Sequence, residues 1–293
     1  MQLKKKLLIN DTSQAVGLDV ALELAYFITG KSNMHYGIWD ELEVNLGNLG
    51  IAQEAYTEKL FSYLPKDKHL SILDVGGGGG ETANKLIKLG HQVTIIVPSP
   101  ILASHSQNNT SNKANIHLCT FEEFEPNNNE LFDICLFSES FQYIPLNIAL
   151  KKSKDLLNGN GKIIISDCFR SNMKFISTYR PPGGGHSLKK MYEEINLNKL
   201  EIISEEDITT SVSASIDLEQ KFYNTLGAII KRIIKSYSHR NRFTFKIIKM
   251  IYQVSLSHKK RLKLNDRLFS NSRNSKIFEL YNNYMIFILK PYI

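Results

Sequence analysis

Asp74 and the five glycines Gly76 to Gly80 are the residues whose types and spacing most plainly suit chemistry. A carboxylate at the end of an apolar run can accept hydrogen bonds from a bound group. Glycines let the backbone approach that group closely and take positive φ. Glu81-Thr82 then opens a segment with apolar residues at helical spacing (Ala83, Leu86, Ile87 and Leu89), which Gly90 stops. The start of such a helix presents free N–H groups to an anionic moiety. Two glycine registers are open. Gly78-x-Gly80-x-x-Ala83 fits the dinucleotide pattern; Asp74-x-Gly76-x-Gly78-x-Gly80 fits a pattern in which the acid ends the strand. A Gly-rich turn that binds nothing is a third reading, set against the entropic cost of ordering five glycines.

Other groups able to take part in chemistry are spread along the chain. His35-Tyr36-Gly37-Ile38-Trp39 offers an imidazole, a phenol and the single tryptophan; Phe121-Glu122 pairs an apolar ring with an acid. Ser138-Glu139 leaves an apolar run, Tyr143 follows, and His186 closes Pro181-Pro182-Gly183-Gly184-Gly185-His186. For an acceptor that must lose a proton, His35, Tyr143 and His186 are the base candidates, although a lone histidine is more often structural. The prolines and glycines before His186 suggest a hinged loop over 178–186.

The elements that would position these groups alternate between two periods. Strands are expected at 71–75, 91–97, 116–119, 131–137, 162–167, 200–203 and 284–290. Helices are expected at 11–30 (capped by Asp11-Thr12-Ser13, with Val16, Leu18, Leu22, Leu24, Ala25 and Phe27 inward), 51–64, 101–113, 146–157 and 187–197. Asn158-Gly159-Asn160-Gly161 reads as the stop of the fourth of these helices. Alternating strands and helices make an α/β sheet, which binds its ligands at the carboxyl ends of the strands.

Several of these stretches resemble the class I S-adenosylmethionine-dependent methyltransferases. Asp74 to Gly80 is similar to that family's motif I. His35-Tyr36-Gly37-Ile38-Trp39 resembles the His-Tyr-Gly-Tyr-Trp segment of its sterol, tocopherol, glycine/sarcosine and prenyl-diphosphate subgroup, with Ile38 in place of the second aromatic. Phe132-Asp133-Ile134 through Glu139 and Tyr143-Ile144 resembles the family's fourth strand and exit. The resemblance implies S-adenosyl-L-methionine as cofactor, no metal, and a Rossmann-like three-layer sandwich. Its mostly parallel sheet would have seven strands, with a helical cover inserted before the last one. It implies cofactor contacts from Tyr36, Trp39, Asp74, Gly76, Gly78, Gly80, Phe121, Glu122, Ser138 and Glu139, with Tyr36 and Tyr143 at the reacting groups; His186, a base candidate by residue type, completes the expected catalytic set. Phe121 would pack on adenine. The aromatic segment has a competing role, packing the N-terminal helix onto the sheet. Val97 stands where the family has the acid that holds the ribose, followed by Pro98-Ser99-Pro100; Ser99 or a backbone group could substitute.

Composition bounds what else is possible. The chain has 293 residues, 42% of them hydrophobic, enough for a substantial core. Three widely spaced cysteines suit free thiols and show no metal-ligand spacing. The basic N-terminal apolar run is too short for a signal peptide and no run is long enough to span a bilayer, so a cytoplasmic protein, with peripheral membrane contact as an option, is expected. The net charge of +7 is concentrated: Lys231 to Arg267 holds twelve Lys/Arg and one acid, Asp266, against twenty-four basic and twenty-eight acidic residues elsewhere. Four regions are expected: a cap over 1–50, the cofactor-binding core over 51–210, a basic helical cover over 211–280, and the last strand over 281–293. The cover is an amphipathic lid with lysines outward, a face for an anionic membrane or lipid-like acceptor, or an attractor of phosphorylated molecules or RNA. Nucleic acid is disfavoured by the absence of a recognisable RNA-binding module. The resulting reading is a methyltransferase for a small, hydrophobic, lipid-like or natural-product acceptor. A catalytically silent adaptor using its basic face and an NAD(P)-dependent reductase are the alternatives.

Overall fold

The computed structural model describes residues 13–66, 68–127, 130–173 and 182–292. Its sheet contains β1 (Ser71–Val75), β2 (Gln92–Ile96), β3 (Asn115–His117), β4 (Phe132–Ser138), β5 (Leu157–Arg170), β6 (Leu200–Asp207) and β7 (Asn282–Pro291). The spatial order is β3-β2-β1-β4-β5-β7-β6. β1 to β5 pair in parallel, and β7 runs antiparallel between β5 and β6. The expected α/β architecture is therefore present, seven strands included.

Two apolar layers cover the sheet, and the period of two along each strand divides the residues between them. On β4, Ile134 and Leu136 join the layer containing Ile72, Ile95 and Ile164; Cys135 and Phe137 join the layer containing Leu73, Val75 and Ile163. Burial on both faces is why these strands read as continuous apolar runs.

The helices before the cover are α1 (Ser13–Thr29), α2 (Leu49–Phe61), α3 (Glu81–Lys88), α4 (Pro100–Asn109), α5 (Leu146–Leu156) and α6 (Leu188–Leu197). α1 departs from expectation: Leu22 is buried, but Val16, Leu24 and Phe27 are exposed. Asp11 and Thr12 of its expected cap lie outside the described residues. The expected stop at Asn158–Gly161 is instead strand. β5 leaves α5 directly, and Leu157 pairs with Phe132 across a register shift. β6 likewise continues through Glu205-Glu206-Asp207. Of the expected hinged loop, Thr178 to Pro181 lie outside the described residues. The rest is tied down: Asn282 Nδ2 donates to the Pro182 carbonyl at 2.9 Å, and the Arg170 N–H donates to the His186 carbonyl at 2.7 Å.

Between β6 and β7 run α7 (Thr209–Arg240), α8 (Arg242–Ser255), α9 (His258–Phe269) and α10 (Ser275–Tyr281). α7 is buried only as far as Gly227. There the chain returns along α9: Gln220 donates to the Arg267 carbonyl at 3.0 Å, and Glu219 accepts from Arg267 and Arg273. Beyond Gly227, Ile229, Ile233, Phe243 and Ile248 are exposed, so an inward-facing apolar lid does not describe this part. No helix among the described residues is long and apolar enough to cross a membrane.

Candidate active site

The site forms where β1, β2 and β4 end, around a cavity of about 410 Å³ lined by Asp74, Val75 and Gly76 to Gly79. This lies within the ordinary range for small-molecule sites. β1 delivers Asp74 into a fully buried position, 1% exposed. The chain then turns at Gly76 with φ +74, where any side chain would collide with Ser140, and enters α3 at Gly80 with φ +82. A Cβ on Gly80 would lie 2.7 Å from the Ser106 Cα, so this corner accepts only glycine. Ser140 ties the two strand ends together by donating to the Val75 carbonyl.

Two residues that line this cavity each hold a buried polar atom without a partner. Asp74 Oδ2 and Asn33 Nδ2 are both buried without a hydrogen bond, and both residues line the cavity. An unsatisfied buried group costs about 1–3 kcal/mol. Burial pushes the Asp74 carboxyl up to about 7. A carboxylate without a partner and an amide N–H without an acceptor, on residues lining one cavity, suit the zwitterionic end of an amino acid. Asn33 stands just ahead of the aromatic segment and is a residue that sequence reasoning missed.

The exit of β2 contributes Val97, Pro98 and Ser99. Ser99 Oγ accepts from the Leu102 N–H at 3.2 Å, capping α4, and lies 3.4 Å from Asp19 Oδ1. The N-terminal helix thus brings the Asp19 carboxylate to Ser99, past the strand end that lacks its own acid; Leu18 and Ser99 line the cavity and Asp19 stands behind Ser99. After β3, Phe121 and Glu122 border the cavity. Phe121 is 3% exposed and meets Phe137 edge-on at 5.6 Å. Of the two adjacent acids, Glu123 accepts from the Thr120 hydroxyl at 3.2 Å, and Glu122 is the one at the cavity.

The exit of β4 supplies Ser138, Glu139 and Tyr143. Glu139 sits at φ +56, a conformation unusual for a residue with a side chain. Its Oε1 accepts from the Tyr36 N–H and from the Tyr284 hydroxyl, each at 2.7 Å. Tyr284 lies 3.0 Å from the Tyr56 hydroxyl, which donates to Ser166 Oγ at 2.7 Å. Burial, with nearby Asp167, pushes Glu139 up to about 8; the two donors oppose this. Tyr56, Ser166 and Tyr284 form a polar support beneath Glu139 that no local motif announces.

The remaining candidates are placed elsewhere. The Tyr36 ring packs on Phe278 and Tyr284, at 6.0 and 5.9 Å, and reaches the site through its backbone N–H. Trp39 is buried with Ala52 and Leu218, and its indole donates to Ser215 Oγ at 2.8 Å. Neither lines the cavity, and Gly80 supports it only from behind. His186 does not line the cavity; its Nε2 donates to the Ile144 carbonyl at 2.9 Å. His35 does line the cavity; stacked on Tyr56 at 4.4 Å, it is held neutral by burial, its pKa lowered to about 4. Tyr143, 58% exposed, is therefore the one proposed catalytic side chain at the cavity mouth.

Comparisons with known proteins agree with this geometry. Residues 73–165 match the family model described as "Methyltransferase domain". The [4+2]-cyclase SpnF superposes with a TM-score of 0.63 at 17% identity, covering 96% of each chain. Geranyl diphosphate C-methyltransferase from Streptomyces coelicolor A3(2), solved with Mg2+, geranyl-S-thiolodiphosphate and S-adenosyl-L-homocysteine, gives 0.64 at 12% identity, covering 99% of this chain and 98% of that one. The cyclopropane synthase MmaA2 from Mycobacterium tuberculosis gives 0.64 at 12% identity, over 96% and 95%. No curated protein matches the sequence. One fold can host several chemistries, so these likenesses speak to architecture. Residues 73–165 thus match a methyltransferase domain, and the chain as a whole shares its fold with solved methyltransferases.

Proposed function

We propose that this chain is an S-adenosylmethionine-dependent methyltransferase acting on a small, apolar acceptor. The observation that carries the proposal is that Asp74 and Asn33, which line one cavity behind a glycine turn, each hold a buried atom without a partner, Oδ2 and Nδ2. In this reading Asp74 takes the ammonium group of the cofactor's methionine end and Asn33 its carboxylate. Asp19, with Ser99, serves the ribose hydroxyls from the end of β2, replacing the acid that Val97 does not provide. Phe121 and Glu122 flank the adenine.

The cofactor supplies a sulfonium-bound methyl group for in-line displacement. The chain's own residues align the partners and exclude water. Glu139, between its two donors, is held where it can take a proton from a hydroxyl or amine acceptor or face a developing cation on a carbon acceptor. Tyr143 closes the mouth on the acceptor. Met34, Ile144 and Leu102 give the cavity its apolar walls, which favours a hydrophobic acceptor, in keeping with the geranyl diphosphate and cyclopropane enzymes of the same fold. Nothing in the comparisons favours the adaptor alternative.

Isothermal calorimetry with S-adenosylhomocysteine is the first test. Absence of binding at millimolar ligand would end the proposal. Mass spectrometry of a cell extract incubated with the protein and deuteromethyl-labelled cofactor would then show which metabolite gains mass.

A further inference from the structure

Beyond Gly227 the cover leaves the body of the protein. α8 buries none of its residues. A fourteen-residue helix with no buried residue is marginal in water, because helices of that length draw their stability from a buried face. Yet the side chains exposed here are those that normally form such a face: Phe243 is 77% exposed and Val254 83%, with Met250 and Ile251 above half. At 100° per residue, Arg242, Lys246, Lys249 and Gln253 fall on one narrow side of α8, and Phe243, Ile247, Met250 and Val254 adjoin them. The free end of α7 repeats the pattern, with exposed Ile229, Ile230, Ile233 and Ile234 among Lys231, Arg232 and Lys235. From Ala228 to Leu256 there is no acid.

We infer that the projecting part of α7, together with α8 and the start of α9, docks on an anionic lipid bilayer. The cations meet the headgroup phosphates and the apolar side chains enter the boundary with the acyl chains. Charge complementarity selects this occupant. A second copy docked through the same face would set like charges against each other, since a two-fold contact pairs a patch with itself. Nucleic acid would satisfy the cations but leave Phe243, Met250 and Val254 in water. A bilayer receives both. The inference goes beyond the proposed methyl transfer and does not depend on it.

Flotation of the full chain, without cofactor, on vesicles of phosphatidylcholine alone or mixed with phosphatidylglycerol tests it. The protein is expected to float with the mixed vesicles only, and to be released at about 1 M salt, where the screening length falls to about 3 Å. Lys246→Ser with Lys249→Ser should lower partitioning about fivefold per cation removed. Phe243→Ser with Val254→Ser should weaken it while leaving the charge intact. All four side chains are exposed, and thermal unfolding without vesicles checks that the variants fold. S-adenosylhomocysteine calorimetry of the unsubstituted chain separates the two proposals. A chain that floats but binds no nucleoside defeats the methyltransferase reading alone, and the reverse defeats this one. Equal flotation on phosphatidylcholine, no flotation, a dimer that Phe243→Ser disrupts, or capture by polyuridylate in preference to vesicles would overturn it.

Discussion

The Tyr284 hydroxyl donates to Glu139 Oε1 across 2.7 Å, joining two residues 145 positions apart. It is one of two donors that favour the charged form of a carboxyl which burial, despite them, pushes up to about 8. Tyr284→Phe removes that donor, so Glu139 should titrate higher still. If ionised Glu139 serves the reaction, the acid limb of the pH–rate profile moves to higher pH. Losing the bond, and the Tyr56 hydroxyl's contact with it, should also cost about 1–2 kcal/mol in denaturant unfolding. A stability loss with an unmoved pH profile would remove Glu139 from the chemistry.

Asp74 gives a pH dependence of definite sign. Its folded value, about 7, lies above the ordinary carboxyl value of 3.8. A raised carboxyl is easiest to keep in the fold while protonated, so its contribution worsens as pH rises from the unfolded value through the folded one. Asp74→Asn should therefore stabilise the ligand-free protein at about pH 8 more than at about pH 5. The same change should weaken S-adenosylhomocysteine binding by about tenfold or more, because the ligand's cation loses its partner. Thermal unfolding with and without ligand reads both. Tighter binding by the variant would reverse the assignment.

Asn33 can be tested by comparing two ligands. Asn33→Ala should reduce affinity for S-adenosylhomocysteine by about tenfold and leave 5′-methylthioadenosine, which has no amino-acid end, nearly unaffected. Equal losses for both would mean that Asn33 shapes the cavity without reading the carboxylate.

The ribose assignment makes the opposite prediction. Asp19→Asn should weaken both ligands together, by roughly threefold to tenfold, since both carry the ribose. Competition binding with the two ligands checks it, and an effect on one ligand only would refute the role.

Trp39→Phe separates packing from binding. The indole's bond to Ser215 holds the aromatic segment on α7. Its loss should lower stability by about 1 kcal/mol and leave cofactor affinity within twofold. A large loss of affinity at unchanged stability would restore Trp39 to the cofactor.

The architecture was legible where burial leaves a local mark. Ile72, Leu73 and Val75 run apolar because both faces of β1 are covered, and the run of glycines after Asp74 marks the turn into α3. Asn158 to Gly161 misled because pairing of Leu157 with Phe132 overrides the turn preference of Asn and Gly. In the site, Asp74, Gly76, Gly78, Phe121, Glu122, Ser138 and Glu139 line one cavity, as their strand-end positions suggest. Tyr36 and Trp39 show the limit: an aromatic looks the same in a sequence whether it packs or binds. Tyr56, Tyr284 and Asp19 meet the site only through contacts across 80 to 228 positions, and no short motif records those. Periodicity in the cover told which side chains share a face, but not whether anything lies against it.

Because β7 inserts between β5 and β6 and carries Tyr284, a ribosome must extrude the whole cover before Glu139 gains its phenol. A nascent chain released only through the fifth strand would display the glycine turn with β5 as a raw, unpaired edge. Chaperone occupancy during translation should therefore persist until the residues around 284 emerge, well after the signature segment has left the exit tunnel.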